Sequence, residues 1–159
     1  MGKAGFEEKK RYIWIWLIAI LIVISLVWLI LILRESSRLR EFKVEAFILN
    51  NESSVCIADG PDGLVRINKD NWKAIYSVIE KAHGSFTVGT PEAKETLSFQ
   101  YNCHDNICYL NVDYISEDKL RIVIDGERDY VVYINNKGSY ESFKKAASIN
   151  GYPTKNKPM

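Results

Sequence analysis

The chain has 159 residues, 47% of them hydrophobic and 26% charged, with a net charge of +1. No basic patch for nucleic acid stands out, and neither an internal repeat nor a long low-complexity run is present. The near-neutral total conceals an asymmetry: residues 1–43 carry eight Lys/Arg against four Asp/Glu, and the remainder carries thirteen against sixteen.

Residues 1–11 form a short basic tail with Lys3, Lys9, Lys10 and Arg11 against Glu7 and Glu8. Residues 12–33 read YIWIWLIAILIVISLVWLILIL, without a charge, a Gly or a Pro. As a helix rising about 1.5 Å per residue, such a run spans roughly 33 Å and crosses a hydrocarbon core of about 30 Å. A cleaved signal peptide has a shorter apolar region of about 7–15 residues and a small-residue cleavage site. This run is longer and RESSRLR follows it, so the sequence predicts an uncleaved signal-anchor in a lipid bilayer. Tyr12, Trp14, Trp16 and Trp28 are expected to set the depth of the helix at the interfaces. Arg34, Arg38 and Arg40 are expected at the headgroups of the other end. The absence of ionisable groups within the run argues against a proton or ion path, and no G-x-x-x-G motif marks a helix dimer. Four Lys/Arg flank each end, so the positive-inside rule does not choose a side.

Residues 34–41 are predicted as a charged helical stalk, and residues 42–151 as one α+β domain. Phe42, Val44, Ala46 and Ile48 alternate with Lys43 and Glu45, which predicts a strand over 42–49. A turn at 50–53 contains the sequon Asn51-Glu52-Ser53, a pattern that arises easily by chance. Short strands are expected at 55–58 and 64–67, around a Gly- and Asp-rich turn that matches neither a calcium loop nor a P-loop. A helix is predicted over 69–83, with Asn68 as its N-cap and Gly84 as its stop. Trp72, Ile75, Tyr76, Ile79 and Ala82 form its apolar stripe.

Residues 95–115 predict a hairpin. Pairing Cys103 with Cys108 sets Tyr101 against Leu110, Phe99 against Val112 and Leu97 against Tyr114. The other face then pairs Asn102 with Tyr109, Gln100 with Asn111 and Ser98 with Asp113. A one-residue slip would mix the two faces. Strands at 120–124 and 129–134 follow, with no register favoured. Ser139 is expected to cap a helix to about residue 149, and residues 152–159 form a loose tail. The order gives an α+β chain: a single N-terminal transmembrane helix, then a small domain with a mostly antiparallel sheet and two helices.

No motif for nucleophilic, metal-dependent or dinucleotide chemistry occurs, and His83 and His104 are the only histidines. Zinc would need four ligands, and Cys103, His104 and Cys108 have only Cys56 to complete the set. No cofactor is expected. The facing pair Cys103 and Cys108 leaves a structural disulfide or two buried thiols. A disulfide would place the domain on the extracytoplasmic side, since such bonds persist in oxidising compartments. The function expected is that of an accessory or scaffold subunit binding a protein partner or envelope component. A tethered ligand sensor and a tethered enzyme are the alternatives. A closed apolar cavity would favour the sensor. A deep cleft with His83 or His104 beside a carboxylate would favour the enzyme, and an exposed flat face the scaffold.

Overall fold

The computed structural model describes residues 4–60, 63–103, 106–126 and 128–148. The chain divides into two compact units, Met1–Ser37 and Arg38–Met159. One helix, α1 (Ala4–Glu52), runs from the first into the second. It is the one helix among the described residues long and apolar enough to cross a membrane. The predicted tail at 152–159 lies outside the described residues.

The strand expected over 42–49 is the last part of α1. Phe42, Ala46 and Leu49 are buried with Leu39 packed beside them, a helical spacing, while Val44 and Phe47 are exposed. Eight residues fit both periods. No Gly or Pro falls between residues 6 and 52, so a helix already nucleated upstream simply propagates.

The domain sheet then forms from β1 (Ser53–Gly60), β2 (Gly63–Arg66), β3 (Glu95–Cys103), β4 (Asn106–Ser116), β5 (Lys119–Asp125) and β6 (Tyr130–Asn135). The strand order is β2-β1-β3-β4-β5-β6, and every pairing is antiparallel. Two further helices, α2 (Lys69–Glu80) and α3 (Ser139–Ser148), complete an α+β fold. Phe42 of α1, Ile75 and Ile79 of α2 and Phe143 of α3 share one core with the inward residues of the sheet, Phe99, Leu110, Val112, Ile122 and Ile134 among them.

Asn68 occupies the N-cap of α2 with extended backbone but makes no side-chain capping bond. Trp72, Ile75 and Ile79 bury the predicted stripe, and the Trp72 indole donates to the Ile67 carbonyl at 3.0 Å. The helix ends three residues earlier than expected. Lys43, which the sequence placed on a strand's outer face, reaches from α1 and donates to the carbonyls of Glu80 and Ala82 at 2.7 and 2.9 Å. A cation there satisfies orphan carbonyls and complements the helix dipole. Gly84, expected as the stop, bridges to Ile134 at the outer edge of β6. At α3, Ser139 is the first helical residue, and a side-chain acceptor for the first turn comes from Asn136, whose Oδ1 accepts from the Tyr140 N–H at 3.0 Å.

The β3–β4 hairpin keeps its predicted faces but not its register. Cys103 faces Asn106, and Cys108 faces Tyr101. The slip is two residues, so Leu97, Phe99, Tyr101, Leu110 and Val112 remain buried. A period of two makes both registers equal in hydrophobic pattern. Turn length separates them: only residues 104 and 105 lie between the paired ends, and two-residue loops are the commonest hairpin connection. The β5–β6 register, open in the sequence, pairs Leu120 with Ile134 and Ile122 with Val132.

Candidate functional site

Tyr12, Trp14, Trp16 and Trp28 are exposed along α1, as are the neighbouring Ile and Leu side chains. Ser25 hides its hydroxyl by donating to the Leu21 carbonyl at 2.8 Å. Arg34, Arg38 and Arg40 are exposed on the next turns. Arg38 also borders a small recess of about 240 Å3 beside Glu41 and the start of β6.

The three cysteines gather around Tyr101 on the core face. Cys56 and Cys108 are its partners on the two flanking strands, and the Ser53 hydroxyl and the Cys103 thiol lie 2.8 Å apart. The expected Cys103–Cys108 disulfide is not formed. In this register the two are diagonal neighbours, with Cα atoms about 7–8 Å apart, beyond the roughly 6.8 Å limit of a disulfide. Burial pushes the Cys56 thiol up to about 12, partly offset by a hydrogen bond from Tyr101. Tyr101 is itself raised, first by burial and then by the neighbouring thiols. These are properties of a packed core, and they oppose thiolate chemistry.

They also predict an alkaline weakness. Cys56 ionises near 9.0 when exposed and near 12 when folded. The stabilisation is therefore complete below the lower value and is lost as pH rises towards the upper one. Across that window the folding constant falls roughly tenfold per pH unit for each such group. Urea midpoints of the protein at rising alkaline pH will fall less steeply for Cys56→Ala than for the wild type. Equal slopes would mean that Cys56 does not titrate as a buried thiol.

A recess of about 380 Å3 lies between the end of α2 and the start of α3, with Lys81, His83, Lys137, Ser139 and Ser142 on its walls. Among the described residues no carboxylate lines it beside His83. Two N–H groups at the start of α3 are already used, Ser139 donating to the Asn136 backbone carbonyl and Tyr140 to the Asn136 side chain. His104 lies outside the described residues. Among the described residues, no group of three or more His, Cys, Asp and Glu side chains is placed to hold a metal ion.

Among the described residues, the second face of the sheet has no helix packed over it. The helices share the core with one face, and the opposite side chains stay exposed or half-buried over most of the sheet. Registers across the strands arrange them in rows. Arg66, Ile57, Gln100, Tyr109 and Asp125 form one, and Leu64, Asp59, Ser98, Asn111, Val123 and Val131 the next. Val55, Asn102 and Ile107 form a third. A fourth row carries Thr96, Asp113, Arg121 and Tyr133. There Asp113 is buried, with Arg121 Nε on its Oδ2 at 2.6 Å and the Thr96 hydroxyl on its Oδ1 at 2.6 Å. The segment 85–94 runs along this end: the Phe86 carbonyl accepts from Lys119, the Pro91 carbonyl from Arg121, and Lys94 N–H donates to Tyr114. Away from that end, the outward positions of β3 and β4 hold no charge, and Asp59 near the end of β1 is the one charge on the strand beside them. The sequence had marked this face as largely polar. The structure adds that the end of α1 packs on the other side together with α2 and α3.

No protein-family model, curated protein or solved structure matches this chain.

Proposed function

We propose that this chain is a single-pass membrane protein whose small α+β domain binds a protein partner through the open face of its sheet, as an accessory or scaffold subunit of a membrane assembly. The observation that carries this reading is the composition of that face. Ile57, Tyr109, Val123 and Val131 surround Ser98, Gln100 and Asn111, while Asp59, Arg66 and Asp125 stand towards the edges. Depletion of charge at the centre, with Tyr and a charged rim, is the anatomy of a protein-binding patch. The apolar run of α1 supports the anchor by length and composition. The expectation of an exported domain rested on a Cys103–Cys108 bond. The register removes that ground, and the tie in flanking charge supplies no other.

The test is photocrosslinking in native membranes from Tyr109, with Lys73 on the exposed side of α2 as the control position. A discrete protein adduct at Tyr109 and none at Lys73 is the expected result. Equal labelling at the two positions, or none at Tyr109, would overturn the reading.

A further inference from the structure

A face that binds its own copy must complement itself. On a twofold axis each residue meets its own counterpart, so the axis tolerates no charge. The outward residues of β3 meet that condition. Thr96, Ser98, Gln100 and Asn102 are all uncharged, and each carries both a donor and an acceptor. β3 also has two strands on one side, β1 and β2, and at least two on the other, β4 and β5.

A rotation about an axis along β3 therefore lays β1 over β4 and β2 over β5 of a second copy. The rows then match. Arg66 meets Asp125 of the second copy, Ile57 meets Tyr109, and Gln100 meets Gln100. In the next row Leu64 meets Val123, Asp59 meets Asn111 and Ser98 meets Ser98. In the third, Val55 meets Ile107 and Asn102 meets Asn102. These assignments follow from the strand registers alone. The one full-charge contact is of opposite sign, and Asp59 meets an amide that can donate to it.

We infer that the open sheet face is a homodimer interface, with a twofold axis along β3 and reciprocal Arg66–Asp125 contacts at its rim. Packed sheets hold their strands within about 30° of each other, so the central rows stay aligned and the long Arg66 side chain covers the divergence at the rim. Five strands spaced about 4.8 Å apart and three rows deep make a footprint below the roughly 800 Å2 per partner of a standard interface. Anchoring both copies in one bilayer raises their effective concentration and compensates for that size. The inference thus rests on the reading of the open face as a binding surface and of α1 as an anchor.

Short-span thiol crosslinking of the full-length protein in its membrane tests it, with the wild-type chain and its three native thiols as background. Gln100→Cys, on the axis, gives a homodimer band, and Lys73→Cys does not. Reversing one charge, Arg66→Asp or Asp125→Arg, lowers the Gln100→Cys homodimer at least about tenfold, because like charges then meet twice per dimer. Combining the two reversals restores it. Within one copy the two residues lie four strands apart, about 19 Å, so restoration can arise only between copies. Single reversals without effect, or a double reversal that stays monomeric, would overturn the inference. A Gln100→Cys adduct with a different protein would also overturn it while leaving the face a binding surface.

Discussion

A chain beginning at Arg38 will be soluble and melt cooperatively, and one beginning at Ser53 will aggregate. The first cut removes the unit that ends at Ser37 and leaves the domain unit whole. The second removes Phe42, Ala46 and Leu49 from the core, together with the Lys43 ammonium that closes the end of α2. Full burial of a Phe or Leu side chain contributes about 1.5–3 kcal/mol each, and unmet helix carbonyls add to the loss. A small domain has only about 5–15 kcal/mol in total, so these losses approach its whole stability. A chain beginning at Phe42, the boundary expected from the sequence, should be intermediate, since it lacks Leu39, which packs beside the core. Circular dichroism melts and size-exclusion profiles of the three chains decide the order. Equal melts for the Arg38 and Ser53 chains would mean that the end of α1 does not belong to the domain core.

The same stretch shows what the sequence could carry. Over residues 42–49 a period of two and a period of 3.6 both collect apolar residues, and the eight positions are too few to separate them. What separates them lies outside the window: an uninterrupted helix upstream. In the β3–β4 hairpin the inward set of Leu97, Phe99, Tyr101, Leu110 and Val112 was legible because parity fixes it. The pairing within that parity was not, and the facing cysteines inferred from it were lost with a two-residue slip. Trp72, Ile75 and Ile79 were legible as the buried stripe of α2, since twelve residues sample more than three helical turns, whereas the burial of Asn71 was not. The self-matching rows of the open face needed the registers of five strands, and no local pattern encodes those.

Loss of Arg121 will destabilise the domain more than loss of the charge on Asp113. The Asp113 side chain is 7% exposed and the Arg121 side chain 24%, at 2.6 Å from each other. Without Arg121, the carboxylate keeps the Thr96 hydroxyl and, at 7% exposed, has little water to turn to. Removing one partner of a buried pair costs about 3–5 kcal/mol, and the partial exposure of Arg121 sets Arg121→Met at the lower end. In Asp113→Asn the amide still accepts from Thr96, and Arg121 can swing its head towards solvent, for a cost of about 1–2 kcal/mol. The pair also steadies the segment 85–94, because Arg121 and Lys119 donate to its carbonyls. Hydrogen exchange at Lys94, whose N–H bonds the Tyr114 carbonyl at 2.8 Å, will therefore quicken in Arg121→Met. The double variant Asp113→Leu/Arg121→Met should recover much of the stability, since an apolar pair leaves no stranded charge, yet it should not recover the exchange protection at Lys94. Urea midpoints and exchange rates for the wild type and the three variants test this order. A double variant no more stable than Arg121→Met would show that the stranded carboxylate is not the source of the loss.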